Sequence, residues 1–299
     1  MHRFNWKIAS TVAIGLLSSC HGLTSQTWQR AVDRGTLQAP ESRVIVLDVQ
    51  SGKILAANQP ADAARTLAAP GSTLKPLVLY RLVSTGQWNP ATRVACNRHL
   101  VVAGHRLACA HPPAPPFNAR EALAWSCNSY FSAVARTLRP GELGDLLRPT
   151  GLLSATGLER EEATAEFQEP QSTDDEQLTL LGVQGVRVTP LELATAYRWL
   201  ALEFAARADS EATQVVRAGL EDSASFGIAG QASLGGLPVM GKTGPAESET
   251  SRRSHGWFVG MAPAVRPRVV IVVYLPVARG MDAAHVAGEI LSHAPLERP

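Results

Sequence analysis

The chain has 299 residues, of which 45% are hydrophobic and 18% are charged, and its formal net charge is +2. This composition is typical of a globular protein with a sizeable buried core and excludes an intrinsically disordered chain. Residues 1–19 contain Arg3 and Lys7 and no acid, so the rest of the chain has a net charge of 2 − 2 = 0. That balance gives no indication of a nucleic-acid-binding surface.

The N-terminal segment has the pattern of an export signal. Arg3 and Lys7 form a basic start, and Ile8–Leu17 follows as a ten-residue apolar stretch. Because ten apolar residues are too few to span a bilayer, the pattern predicts a cleaved signal peptide over residues 1–19 instead of a membrane helix. We therefore expect the folded domain to be exported, on the periplasmic side of the membrane.

The end of this segment resembles a bacterial lipobox. Leu17–Cys20 reads Leu-Ser-Ser-Cys, and the resemblance implies cleavage before Cys20 and lipidation of its thiol, which would anchor the chain to a membrane. His21, in place of an aspartate, favours the outer membrane by analogy with lipoprotein sorting. An ordinary signal peptide with a chance cysteine is the alternative. Residues 20–40 would then be a linker to a domain over residues 41–295.

The domain is predicted to begin with two strands and a helix. Arg43–Asp48 and Lys53–Ala57 lie on either side of a turn that contains Ser and Gly, which predicts an antiparallel pair. A helix is expected to begin near Gly71. Pro76 supports this start, since proline is tolerated near a helix N-terminus, where backbone donors lack partners within the helix.

Cys96 and Cys109 enclose a segment with the pattern of a short β-hairpin. In an exported protein this arrangement predicts a disulfide, which would stabilise the fold by about 3 kcal/mol in the chain-entropy model. The alternative is a metal site that uses the two cysteines with His99, His105 or His111, because thiolate and imidazole are zinc ligands. The spacing does not match a standard zinc motif.

The second half of the chain predicts a long helix followed by strands. Thr189 and Glu192 have the spacing of a capping box with Pro190 at the first helical position, and the helix should reach about Phe204. Three strands and a C-terminal helix are predicted further on: Pro238–Thr243, His255–Met261, Arg268–Leu275 and Met281–Leu291.

Strands at both ends of the domain and helices in the middle predict an α+β fold. We expect an antiparallel sheet built from both chain ends and flanked by helices. Residues 67–235 would form a mostly helical inserted sub-domain. The seam between sheet and insertion is a common place for a functional site.

Three short motifs occur in order along the chain: Ser72–Lys75 (Ser-Thr-Leu-Lys), Ser126–Asn128 (Ser-Cys-Asn) and Lys242–Gly244 (Lys-Thr-Gly). Of 28 basic residues only four are lysines, which leaves 28 − 4 = 24 arginines, and two of the four lysines lie inside these motifs. Lysine can lose its proton when desolvated, whereas arginine stays charged. This usage indicates lysines kept for proton transfer.

Together the motifs resemble the S-x-x-K, S-x-N and K-T-G signatures of penicillin-binding proteins and serine β-lactamases. Residues 69–76, 125–131, 185–194 and 255–263 extend the resemblance to the transpeptidase domain of class B penicillin-binding proteins, over roughly residues 40–292. Only about 20 residues separate Cys20 from the first strand. We therefore expect a lone transpeptidase domain without the family's N-terminal pedestal.

The resemblance implies acyl transfer at D-Ala-D-Ala-type peptidoglycan stem peptides and binding of β-lactams. Ser72 would be the nucleophile, at a helix N-terminus that favours developing negative charge. Lys75 would take the Ser72 proton as a neutral amine. Ser126 would relay that proton to the leaving group.

Substrate contacts are implied for the remaining motif residues. Asn128 would hydrogen-bond the substrate amide, and Lys242 would add positive potential. Thr243, followed by Gly244, would bind the terminal carboxylate. Cys127, inside the second motif, is expected to be a small buried residue. Outside the motifs, His255 and Trp257 are predicted to have structural roles, although His255 could line the cleft.

Pro245 departs from the family pattern. In the family, the residue after Lys-Thr-Gly supplies a backbone N–H that pairs with that of the nucleophile, here Ser72, to form the oxyanion hole, and proline has no N–H. Losing one such donor costs about 10²–10³ in rate. Three interpretations stay open: a slow or specialised transpeptidase or carboxypeptidase, a domain that binds without turnover, and a backbone shift that recruits another donor.

A serine β-lactamase is the rival enzyme. Class D enzymes usually have S-x-V where this chain has Ser126–Asn128, and class A enzymes need a glutamate for deacylation, which an acid in Glu159–Glu176 would have to supply. No cofactor and no active-site metal are predicted. The expected partners are peptidoglycan stem peptides, β-lactams, a membrane through lipidated Cys20, and cell-wall synthesis or division proteins, with no nucleic acid.

Overall fold

The computed structural model of the protein describes residues 25–233, 235–247 and 254–296. The predicted signal peptide, Cys20 and His21 lie outside the described residues. Within those ranges, none of the helices combines the length and the apolar character needed to cross a membrane.

Strands β1–β9 and helices α1–α10 are numbered in chain order. The strands are Arg43–Asp48, Ile54–Asn58, His99–Val102, His105–Ala108, Glu166–Phe167, Val186–Arg187, Met240–Glu247, Ser254–Ala262 and Val269–Leu275. The helices are residues 25–35, Pro60–Arg65, Lys75–Ser84, Ala119–Ala124, Asn128–Ala135, Glu142–Leu147, Thr173–Leu180, Pro190–Ala206, Glu211–Ser225 and Gly280–Ser292.

A five-stranded antiparallel sheet joins the two ends of the domain, with the strand order β2-β1-β9-β8-β7. Strands from the two ends meet where β1 pairs with β9, and β7 forms one edge. The elements between β2 and β7 are mostly helical. This arrangement confirms the predicted α+β class.

The central strands are buried on both faces. In β1, Val44 and Val46 pack with α1 and α10, whereas Ile45 and Leu47 face the core shared with the helical insertion. Strands buried on both faces read as continuous apolar runs, as β9 does with every residue buried. The sheet is therefore a layer between two sets of helices, which gives β7 a rigid support.

The capping box that was predicted at the start of α8 is formed. Thr189 Oγ1 accepts a hydrogen bond from the Glu192 N–H, and the Glu192 carboxylate accepts one from the Thr189 N–H. Helix α9 was not predicted. It buries Ala212, Val216, Leu220 and Ala224, which recur every four residues and mark one helix face.

Candidate active site

Ser72 lies on a short 3₁₀ turn, Gly71–Leu74, that leads directly into α3. Its side chain is almost entirely buried. Gly71 has a φ of 55°, and its N–H donates to the Gly182 carbonyl over 3.0 Å. A Cβ on Gly182 would come within 2.2 Å of the Gly71 oxygen. Glycine at both positions therefore lets two backbone segments touch and fixes the turn that holds the nucleophile.

Lys75 is fully buried at the first position of α3. Its Nζ donates to Asn128 Oδ1 at 2.7 Å, to the Ser126 carbonyl at 3.1 Å and to Ser126 Oγ at 3.4 Å. Burial lowers the pKa of Lys75 to about 8, although the charges of Cys109 and Cys127 act in the opposite direction. A lysine in this state can become the neutral amine that a general base must be.

Ser126 lies between the two motif lysines. Its φ is 53°, in the left-handed region that residues other than glycine rarely adopt. The Lys242 Nζ donates to Ser126 Oγ over 2.8 Å and to the Thr243 carbonyl over 2.9 Å. One hydroxyl is thus within hydrogen-bond distance of both Lys75 and Lys242, which is the connection that a proton relay requires.

The third motif lies on the edge strand β7. Lys242 and Thr243 are buried, and burial followed by the charge of Lys75 holds the pKa of Lys242 well below its usual range. A Cβ on Gly244 would lie 2.5 Å from the Pro70 carbonyl oxygen and 3.4 Å from the Ser72 nitrogen. Glycine is therefore needed for β7 to approach the nucleophile turn.

Pro245 follows Gly244 within β7 and stands opposite Gly256 of β8. Because β7 is an edge strand, the absence of a proline N–H does not interrupt the pairing with a second neighbour. A Cβ on the glycine before it would lie 3.4 Å from the Ser72 nitrogen, so this part of β7 lies beside the nucleophile turn. Pro245 therefore occupies the position at which the family resemblance implies the second oxyanion donor, and proline has no N–H to supply it.

Two aromatic residues hold the segment that leads into the nucleophile turn. The sequence predicted structural roles for both but not this contact. Trp257 Nε1 and His255 Nε2 both lie 2.9 Å from the carbonyl oxygen of Ala69, to which each N–H donates. Ala69 precedes the turn by two residues. The alternating pattern of β8 indicated that His255 and Trp257 share a face, but it could not show their common acceptor.

Cys96 and Cys109, for which a disulfide was predicted with a metal site as the alternative, are free thiols in the structure, as is Cys127. The β-hairpin itself is present as β3 and β4. Instead of facing only each other, the two thiols converge with Cys127 and His111 in one cluster whose ligand atoms lie within 4.8 Å of one another. Cys127, which was predicted to be a small buried residue, is fully buried.

The hairpin also holds the second motif. Asn128 Nδ2 donates to the Leu107 carbonyl over 3.3 Å, and the Asn128 N–H donates to Cys109 Sγ over 3.2 Å. Ser129 Oγ donates to the Asn97 carbonyl over 2.8 Å. The orientation of Asn128 therefore depends on β4 and on the segment that follows it.

An antiparallel sheet flanked by helices, with a buried Ser-x-x-Lys turn facing Ser-x-Asn and Lys-Thr-Gly, defines a serine acyltransferase of the penicillin-binding type. The family model described as "Penicillin binding protein transpeptidase domain" matches residues 43–294. The chain therefore belongs to this family, and it is a serine D,D-transpeptidase-type enzyme.

Relatives agree with this assignment. The chain is 26% identical over 298 residues to a protein named probable peptidoglycan D,D-transpeptidase PenA from Neisseria flavescens, covering 85% of this chain and 74% of the relative. Its fold is similar to the transpeptidase domain of Burkholderia pseudomallei penicillin-binding protein 3, with a TM-score of 0.76, 23% identity and coverage of 92% and 93%. Pseudomonas aeruginosa PBP2 gives a TM-score of 0.78 at 19% identity, with coverage of 91% and 74%.

Proposed function

We propose that this protein is an exported lipoprotein that performs acyl transfer on peptidoglycan stem peptides ending in D-Ala-D-Ala, and that penicillin acylates the same serine. The observation that carries the proposal is the position of Ser126 Oγ, which accepts hydrogen bonds from the buried Nζ atoms of both Lys75 and Lys242. The lipid anchor is supported by the lipobox-like sequence that ends at Cys20.

The chemistry is the one that the motif resemblance implies, and it is supported by the position of Ser126 Oγ within reach of both lysines. Ser72 Oγ attacks the carbonyl carbon of the penultimate residue, and its proton passes to neutral Lys75. Ser126 then carries a proton to the leaving amine, so that the peptide bond breaks and an acyl-enzyme forms. An acceptor amine or water releases the acyl group. Two buried ammonium groups repel each other, which favours the state of the lysine pair with one proton fewer.

Pro245 makes the proposed enzyme a slow one. The Ser72 N–H alone would stabilise the oxyanion, and removal of one of two donors costs about 10²–10³ in rate. The same observation favours a second candidate, a scaffold that binds stem peptides or β-lactams without turning them over. Both candidates share the site, and they differ in whether a covalent bond to Ser72 forms.

Intact-mass analysis of the mature chain after incubation with a penicillin separates the candidates. A persistent adduct that is absent from Ser72→Ala supports the acyltransferase, and Pro245→Thr should then acylate about 10²-fold faster. An adduct only in Pro245→Thr supports the scaffold. An adduct that is released within one turnover time would indicate a β-lactamase, and no adduct in any variant would overturn the proposal.

The proposed location and partners need separate tests. Cys20→Ser should abolish incorporation of a labelled fatty acid and release the chain from the membrane fraction. Cooperation with other cell-wall synthesis proteins is supported by a structural neighbour described as part of a peptidoglycan synthase complex, whose fold matches with a TM-score of 0.72 and of which this chain covers 60%. Co-purification of this chain with other cell-wall synthesis proteins would test the proposed cooperation. We expect the co-purification to be lost when the unanchored Cys20→Ser variant is overexpressed.

A further inference from the structure

Three cysteines and one histidine converge beside the second motif. Cys96, Cys109, His111 and Cys127 place a Sγ atom or an imidazole nitrogen within 4.8 Å of one another. Cys96 precedes β3, Cys109 and His111 follow β4, and Cys127 is the N-cap of α5. All but Cys96 are buried. Residues from separate segments therefore bring together the donor set of a Cys₃His zinc site.

The spacing suits a single tetrahedral ion. Bond lengths of about 2.3 Å to sulfur and 2.1 Å to nitrogen separate the ligand atoms of a tetrahedral zinc site by roughly 3.5–3.8 Å. Cys96 Sγ already lies 3.3 Å from His111 Nε2, and the remaining separations stay within 4.8 Å. Small side-chain rotations of the thiols are sufficient to close the site around an ion.

His111 is oriented as a metal ligand. Its Nδ1 lies 2.7 Å from the Pro112 carbonyl oxygen, so Nδ1 carries the proton and donates it. Nε2 is then the ring nitrogen available to a metal ion, and it lies 3.3 Å from Cys96 Sγ. Phe117 holds the ring edge-on at a centroid distance of 4.8 Å. A backbone carbonyl that fixes the tautomer is the usual outer-shell partner of a zinc-bound histidine.

A disulfide would leave part of this cluster without a partner. Pairing Cys96 with Cys109 would use two thiols and leave Cys127 and the His111 lone pair buried beside them. The Asn128 N–H already donates to Cys109 Sγ at 3.2 Å, which is a hydrogen bond that a negatively charged sulfur accepts well. A metal ion uses all four donors at once.

We propose that Cys96, Cys109, His111 and Cys127 bind one zinc ion in a closed site with four protein ligands. Each thiol releases its proton to solvent and the imidazole stays neutral, so the centre carries a net charge of 2 − 3 = −1. With no open coordination position, the ion is structural. It fastens the β3–β4 hairpin to the segment that carries Ser126 and Asn128. The inference does not rest on the proposed function, because metal binding is measured without substrate.

The direct test is the zinc content of the full chain, purified without chelators and measured by mass spectrometry of the metal. We expect about one zinc per chain in the wild type and less than about a tenth in Cys109→Ser, Cys127→Ser and His111→Ala. His99→Ala is the matched control, since His99 is an exposed residue of β3 in the same hairpin. It should keep the full zinc content.

A second measurement covers variants that fail to fold. Zinc in the wild-type chain is exchanged for Co²⁺, and tetrahedral thiolate coordination should produce intense sulfur-to-cobalt charge-transfer absorption and d–d bands. A folded wild-type chain that binds neither metal would overturn the proposal. Zinc retained in all three ligand variants would also overturn it. So would a wild-type intact mass two hydrogens below that of the free thiols, with no such deficit in Cys96→Ser, because this result would show a disulfide instead.

Discussion

The two walls of the active-site cleft are built differently. The nucleophile wall consists of the turn Gly71–Leu74, Lys75 and β7, and the amide wall consists of Ser126–Ser129 with the β3–β4 hairpin. The first rests on the five-stranded sheet through close backbone contacts at glycines. The second is held by side-chain hydrogen bonds to a two-stranded hairpin and by the thiol cluster. The nucleophile wall thus depends on close backbone packing together with the hydrogen bonds of His255 and Trp257 to Ala69, whereas the amide wall depends on polar and metal-binding side chains.

This difference matters because a small hairpin has little stability of its own. A substitution in the nucleophile wall should therefore slow acylation by displacing or removing a single reacting atom. A substitution in the amide wall should slow acylation by disordering the whole segment Ser126–Ser129.

Replacement of the base should have the largest effect. Lys75→Ala removes the amine that accepts the Ser72 proton and should slow acylation about 10²–10⁴-fold. Lys75→Arg should fail equally, because a guanidinium does not become neutral. Stopped-flow or gel-based acylation with a fluorescent penicillin measures both. Activity in the arginine variant close to that of the wild type would rule out proton transfer to residue 75.

Gly244→Ala tests the backbone contact between β7 and the nucleophile turn. The new Cβ would lie 2.5 Å from the Pro70 oxygen, so the strand must move away from Ser72. A displacement of about 1 Å at a reacting centre can cost about 10²-fold in rate. Gly230→Ala is the control, because no atom lies within 4 Å of its Cβ position. Equal acylation rates in the two variants would contradict this account of the nucleophile wall.

The pH profile of acylation should follow Lys75. Its pKa is lowered to about 8 by burial, and the neutral form is the active base. Below this value the neutral fraction rises about tenfold per pH unit, and it levels off above it. The acylation rate should therefore increase from pH 6 to about 8 and then stay constant. A rate that is flat between pH 6 and 8 would show that another group accepts the proton.

Removal of the proposed zinc should have the smallest effect, and it should act on the amide wall alone. A chelator that strips the ion should slow acylation about tenfold, within the range seen when the support of a metal site is lost. It should also lower the melting temperature, and zinc should restore both. Acylation that is unchanged after the zinc is gone would show that the hydrogen bonds of Asn128 and Ser129 hold this wall by themselves.

Most of the sheet could be predicted because its strands carry continuous apolar runs and turn residues. The capping box of Thr189 and Glu192 predicted the start of α8 for a similar reason, since the signal lies within four neighbouring residues. Helix α9 was missed although its buried alanines, valine and leucine recur every four residues. That spacing is itself a signal of one helix face and could have predicted the helix.

The sequence could name the motif residues but not their contacts. The thiol cluster shows why: Cys96, Cys109 and Cys127 come from segments that only the folded chain brings together. Hairpin spacing predicted a disulfide between Cys96 and Cys109 or, as the alternative, a metal site with a neighbouring histidine, and neither prediction included Cys127. In the same way, His255 and Trp257 meet at one carbonyl, that of Ala69, which lies nearly 190 residues away along the chain.

Pro245 also bears on whether a strand from another chain can pair with β7. An exposed edge strand is a template on which a strand from another protein can pair and begin aggregation. The edge formed by β7 has a proline near its middle, and proline cannot donate to such a pairing. Pro245, at the position expected to complete the oxyanion hole, therefore also interrupts the row of backbone donors along β7.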